Sequence, residues 1–211
     1  MSDSTANVIT VPFDFVYKGD RNYIHGTSAY EQVSEYLSET FPDRMNGSFQ
    51  MAIHSFAKNR CEFVYTLDSG PMRKPEAGRI EISTSTGIHG WFVESSDEIS
   101  RRVSFPENKI TERCQLGDDR SVEMVSAVPF HPIEVLVAIT KHLHLREYPG
   151  ASGKWVFTRL ELDRLLNDDD CGQMGVQIQK SIGTRLTQSA VLSGGKPIGK
   201  IYFSMVSEWP E

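Results

Sequence analysis

The chain has 211 residues, a length for one large domain or two small ones. Its 24% charged and 39% hydrophobic residues are those of a folded globular protein and exclude wholesale disorder, and a net charge of −6 argues against broad nucleic-acid binding. No run approaches the roughly 18 consecutive apolar residues of a membrane span, the first residues lack a basic-then-apolar leader, and Cys61, Cys114 and Cys171 lie far apart with no CxxC, which fits a reducing, cytoplasmic setting without disulfide or zinc.

In chain order, residues 8–17 (VITVPFDFVY) read as a strand, followed by a polar turn over 18–22. Ser28 and Glu31 have the spacing of a capping box, and Tyr30, Val33, Leu37 and Phe41 continue at helical spacing to Pro42, which predicts a helix over 28–41. After Gly47 the period changes: 49–56 and 61–67 read as strands, 68–78 as a Gly/Pro-rich loop, and 79–86 with 89–95 as a hairpin across Gly87. Residues 101–105 and 109–116 are further strand candidates, with a turn at 117–119. A second round begins near Ser121 with a strand over 121–130. Pro132 suits the first position of a helix, where its missing N–H is not needed, and the apolar run 133–145 predicts a buried helix ended by Pro149-Gly150. Residues 155–162, 176–182, 185–192 and 198–204 read as strands, the last two joined by a tight turn at Gly194-Gly195.

The two rounds share one order: strand, helix, antiparallel strands. His25 precedes the first helix and Gly47 follows it 22 residues on; His131 and Gly153 stand in the same relation around the second, so both pairs are offset by 106. Phe49 and Met51 match Trp155 and Phe157, and RIEIS (79–83) matches RLTQS (185–189) in the same register. This reads as a duplication. The division expected is 1–118 for the first half and 119–211 for the second. A helix of three to four turns followed by a meander of long strands packs by laying the sheet around the helix. The chain thus resembles the hotdog fold, most clearly over Lys154 to Ser204, and the fold class expected is α+β, a tandem (double) hotdog.

The turn Gly19-Asp20-Arg21-Asn22-Tyr23-Ile24-His25 is similar to the MaoC-like (R)-specific enoyl hydratase motif, in which Gly19, Asp20, Asn22, Ile24 and His25 match and Tyr23 stands in place of Pro. The resemblance implies 3-hydroxyacyl to 2-enoyl interconversion on an acyl-CoA or acyl-carrier-protein thioester, with Asp20 and His25 catalytic and Asn22, Tyr23, Gly26 and Thr27 binding substrate. It implies no cofactor and no metal.

The chemistry has a reason for these residue types. Adding or removing water next to a thioester needs acid–base groups at the α and β carbons, and an imidazole titrates near working pH. Backbone N–H groups at a helix N-terminus suit the charge that develops on the thioester oxygen. In the second half Ser126 stands at the register position of Asp20, so one site per chain is expected.

Plainer readings stand beside these. His25 can simply satisfy a helix end, Asp20 and Asn22 can be turn formers, and Glu31 can be half of a capping box. Glu31 is also the alternative catalytic carboxylate should the chain be a thioesterase of the same fold, and a non-catalytic acyl-binding or scaffolding protein is a third reading. His142 and His144 project about 200° apart on a helix, poor geometry for one ion, and Asp168-Asp169-Asp170 reads as a solvated loop rather than a calcium site. Arg101, Arg102, Arg159 and Arg164 can contact the phosphates of a pantetheine carrier or form local ion pairs. The expected partners are the thioester carrier and no nucleic acid, and the edge strands leave a homodimer open.

Overall fold

The computed structural model describes residues 7–68 and 70–207. The chain divides into two compact units, one up to Val103 and one from Ser104. The division falls before, not after, residues 104–118, because strand β8 (Cys114–Gly117) hydrogen-bonds to β9 (Ser121–Met124). No helix among the described residues is long and apolar enough to cross a membrane.

The first unit holds β1 (Val8–Pro12), β2 (Tyr17–Lys18), the helix α1 (Gly26–Thr40), β3 (Phe49–Ile53), β4 (Asn59–Leu67), β5 (Gly78–Thr84), β6 (Ile88–Glu98) and β7 (Arg102–Val103). The strand predicted over 8–17 stops at Pro12, and Tyr17-Lys18 pairs instead with Arg102-Val103 in a short parallel ladder. The main sheet runs in the order β1-β4-β6-β5-β3, antiparallel throughout. Gly87, at φ +90°, closes the β5–β6 hairpin where the sequence places it. Tyr30, Val33 and Leu37 form the buried stripe of α1. Tyr30 packs edge-on to Phe49 at 5.2 Å, and the Tyr36 hydroxyl meets that of Tyr65 at 2.9 Å, fixing the helix on β3 and β4.

The second unit holds the short helix α2 (Asn108–Thr111), β8, β9, the helix α3 (Pro132–Glu147), β10 (Lys154–Leu162), β11 (Met174–Ile182), β12 (Leu186–Ser193) and β13 (Lys196–Val206). A helical turn thus replaces the strand predicted from residue 109, and the strand predicted over 121–130 ends at Met124. The sheet order is β10-β13-β12-β11-β9-β8. Pro132 is the first residue of α3, and Ile133, Val135, Leu136, Ala138, Ile139 and Leu143 are all buried, as a helix apolar nearly all round requires.

The two halves are alike in plan but differ in connection. In the second unit β11, β12 and β13 form a plain meander, and β13 lies against β10. In the first unit the strand against β3 is β5, and β6 sits between β5 and β4. β4 and β5 therefore run parallel, and residues 70–77 return along β6. The match of RIEIS to RLTQS is corrected by this: β5 occupies the place of β13, not of β12. The register around the helices holds, since His25 and His131 are both N-cap residues.

Candidate active site

Residues 21–25 lead into α1, pinned where the Ile24 amide donates to the Ala57 carbonyl at 2.8 Å. His25 is the N-cap residue and only 5% exposed. Tyr23, also buried, stacks on it at 5.8 Å and packs on Phe56 at 4.5 Å. Gly26 opens the helix.

The expected capping box does not form. Glu31 bonds instead to Lys18 Nζ at 3.3 Å, and Ser28 is buried. The helix starts two residues earlier than the Ser28–Glu31 spacing predicts, with no capping bond from the side chain of its N-cap residue. The hydroxyls of Thr27 and Ser28, each 4% exposed, make no hydrogen bond to a described residue. α3 is different at the same register. His131 Nδ1 accepts from the Ile133 amide at 3.4 Å, and Glu134 accepts from the His131 amide at 3.2 Å. One helix start is capped by its own side chains; at the other the N-cap histidine makes no capping bond through its side chain.

Asp20 and His25 are not brought together. Asp20 lies exposed on the turn, where Gly19 adopts φ +61°, and no hydrogen bond joins it to His25 among the described residues. The partner at the ring is Arg21, whose Nη1 stands 2.7 Å from Nε2 and 3.2 Å from Nδ1. The turn that carries Arg21 is held by Arg102, which donates to the carbonyls of Gly19 (2.6 Å) and Arg21 (2.7 Å) and lies over the Tyr17 ring. Spacing gives no sign of Arg21, because its approach depends on how the turn closes against β7. Asn22 is half-buried beside it.

The arginines weighed as phosphate ligands have protein partners. Arg101 pairs with Asp14, Arg159 with Glu161 and Arg164 with Asp170. His144 is buried and bonded to Thr187, whereas His142 lines a surface cleft with Lys141 and Glu107, so the two do not converge. Among the described residues no group of three His, Cys, Asp or Glu side chains is arranged to hold a metal ion.

All three cysteines are free thiols. Burial, with Glu94 nearby, pushes the Cys61 thiol up to about 12, and burial beside Asp168 and Asp170 takes Cys171 to about 11. Neither is a thiolate nucleophile near neutrality. A disulfide-exchange reagent at pH 8 is expected to modify half-buried Cys114 first and to reach Cys61 and Cys171 only on unfolding; rapid labelling of Cys61 in the native protein would contradict this.

No protein-family model and no curated protein sequence matches the chain. Solved structures do match over nearly its whole length. The pyran synthase domain from module nine of the sorangicin pathway is 13% identical, with a TM-score of 0.50 over 99% of this chain and 97% of that one. The dehydratase domain of PpsC from Mycobacterium tuberculosis, in complex with C12:1-CoA, is 12% identical, also with a TM-score of 0.50, over 98% and 97%. A monomeric dehydratase domain from a trans-AT polyketide synthase split module is 9% identical, again at 0.50, over 95% and 98%. The chain is a double hotdog protein: two units in succession, each of antiparallel strands with one long helix, in the fold of these dehydratase domains.

Proposed function

We propose that the chain is an acyl-thioester dehydratase or hydratase with one site, at the start of α1. The observation that carries this reading is the contrast between the two helix starts: α3 is capped by His131 and Glu134, whereas at α1 the His25 side chain makes no capping bond and the two buried hydroxyls of Thr27 and Ser28 make no hydrogen bond to a described residue. Four N–H groups at a helix start have no partner within the helix. Together with the helix dipole they are suited to the negative charge that grows on a thioester oxygen.

In the dehydration direction, His25 takes the proton on the α carbon and the electron pair moves toward the thioester carbonyl, whose oxygen lies at the amides of Gly26 and Thr27. The double bond then forms between the α and β carbons as the hydroxyl leaves the β carbon. The imidazolium returns its proton to that hydroxyl, and water departs. Hydration is the reverse. Arg21 must move off the ring nitrogen that faces substrate. Asp20, on the exposed turn, stands at the rim rather than as the ring's partner, and Asn22 and Tyr23 line the approach. The carrier is coenzyme A or an acyl carrier protein. The fold alone does not assign the activity; what supports this reading is the helix start beside His25.

The test is mass spectrometry on a panel of crotonyl, 3-hydroxyacyl and saturated acyl thioesters, on coenzyme A and on carrier protein. Gain or loss of one water is expected, with His25→Ala reducing turnover by about 10²–10⁴-fold and Asp20→Ala staying within a few-fold of wild type. Free acid released with His25→Ala still active would make the chain a thioesterase, with Glu31 the carboxylate to replace next. Binding of the thioesters without turnover would make it an acyl-binding protein.

A further inference from the structure

The return connection of the first unit, residues 70–77, runs along β6 and is fastened to it midway at Met72 and, where it rejoins the sheet, at Ala77, whose carbonyl accepts from the Glu94 amide at 3.0 Å. The Met72 amide donates to His89 Nδ1 at 2.5 Å, and the Met72 carbonyl accepts from Trp91 Nε1 at 3.3 Å. Lys74 Nζ lies 5.8 Å from the centre of the Trp91 ring. Where the strap rejoins the sheet, a Cβ on Gly78 would meet Pro75 and the Trp91 ring at 3.0 Å, so strap and tryptophan close over a glycine.

The hydrogen bonds define the state of His89. A backbone N–H can only donate, so Nδ1 is an acceptor without a proton and Nε2 carries the ring proton. Nε2 donates to Glu81 Oε1 at 2.9 Å, and the other oxygen of Glu81 lies 3.1 Å from His54 Nε2. Burial pushes the Glu81 carboxyl up, but the bonds from His89 and His54 outweigh it and hold it below the ordinary carboxylate range. It stays an anion while imidazoles gain protons. The charged groups around the ring are therefore Glu81 on β5, His54 just after β3 and Lys74 on the strap; Arg79 on β5, whose carbonyl accepts from the His54 amide, has its guanidinium paired with Glu94.

We propose that His89 is a proton-operated latch: as imidazole it holds the strap through the Met72 amide, and as imidazolium it keeps Glu81 and releases the strap. A second proton can enter only at Nδ1, the nitrogen that holds Met72. Once it does, two donors face each other, and the strap retains at Met72 only its longer bond from Trp91. Opening uncovers Trp91 and the face of β6 beneath the strap.

The test is residue-resolved amide exchange by NMR at pH 7.5 and pH 5.5, corrected for the intrinsic dependence of exchange on pH. Protection of the Met72 amide is expected to fall about tenfold or more at the lower pH, while the β5–β6 ladder amides hold. His89→Gln supplies an amide oxygen that accepts from Met72 and does not titrate, so its protection is expected to be equal at both pH values. His54→Gln is expected to keep the wild-type response. Protection that ignores pH in wild type, or a response that survives His89→Gln, overturns the proposal, and a response lost in His54→Gln moves the sensor to that residue. Should His89→Gln fail to fold, the wild-type ring decides: the midpoint of His89 Nδ1 protonation, read from its ¹⁵N shift, must coincide with that of Met72 exchange, and separate midpoints overturn the latch.

Discussion

Replacing Asp170 by Asn is expected to destabilise the second unit by about 1–3 kcal/mol at pH 7, the range for leaving buried hydrogen-bonding groups unsatisfied, since Arg164 itself reaches water. Asp170 is 1% exposed. Its Oδ1 accepts from Arg164 Nη2 at 2.7 Å and from Ser193 Oγ at 2.6 Å; its Oδ2 accepts from Arg164 Nη1 at 2.8 Å and from the Asn167 amide at 2.9 Å. Four donors therefore converge on one carboxylate, and it ties the connection after β10 to the end of β12. Asn matches the shape but turns one oxygen into an NH₂ group that faces donors, so the conservative change is expected to cost no less than Asp170→Ala. The pH dependence has a definite sign. Burial pushes the carboxyl up, but Arg164, Ser193 and the Asn167 amide outweigh it and hold it below its ordinary value. The unfolded chain takes up the proton first, so the stabilisation is present above about pH 3.9 and is lost as pH falls through the lower folded value. Urea unfolding at pH 7 and pH 3 should show a wider gap between wild type and variant at pH 7 than at pH 3. A loss under about 1 kcal/mol at pH 7 would mean the pair contributes little beyond its own desolvation.

Asp170 also marks where sequence reading stops. Asp168-Asp169-Asp170 reads as a solvated acidic loop, and the first two are exposed as expected. The third is buried because Arg164, six residues back, folds over it, and no periodicity encodes that. What was legible depends on local pattern. The buried stripe of α1, the apolar circumference of α3, Pro132 at its start and the Gly87 hairpin all follow from spacing within one element. What was not legible depends on partners far along the chain. The Ser28–Glu31 box loses to Lys18, a residue outside the helix. The matched strands β5 and β12 occupy different places because strand order is set by non-local pairing, to which a repeat in sequence is blind. At the site the sequence singles out the buried histidine and the helix start behind it, whereas the Asp20 pairing depends on a turn whose glycine directs the aspartate outward. Arg21, one residue along, meets the ring instead.

Acidification from pH 7 to pH 4 is expected to remove about 3 kcal/mol from the second unit through His144 alone, taking 1.36 kcal/mol per pKa unit. His144 is fully buried on α3, with the Trp155 ring at 4.5 Å and Phe203 stacked at 5.1 Å. Its Nδ1 is 2.6 Å from the Thr140 carbonyl, which can only accept, so Nδ1 carries the proton. Nε2 then accepts from the Thr187 hydroxyl at 2.5 Å. Both nitrogens are satisfied in the neutral ring. Burial is the main cause that takes the imidazole down to about 4, and the positive charge of Arg120 adds to it, against an opposing pull from the Thr140 carbonyl and Glu147. Between that value and about 6.5 the unfolded chain binds a proton that the folded one does not, so stability rises with pH across this window. The contribution is complete above about pH 6.5 and gone below about pH 4, a higher window than that of Asp170, which separates the two in one titration. In His144→Gln the slope assigned to this residue should vanish, although the variant starts less stable at pH 7 because it loses the packing against Trp155 and Phe203. The ring proton shifts of His144 should titrate with a midpoint near 4. A midpoint above 6 would mean that solvent reaches the ring through fluctuations large enough to hydrate the imidazolium, and the C-terminal turns of α3 would then have to open far more readily than their packing requires.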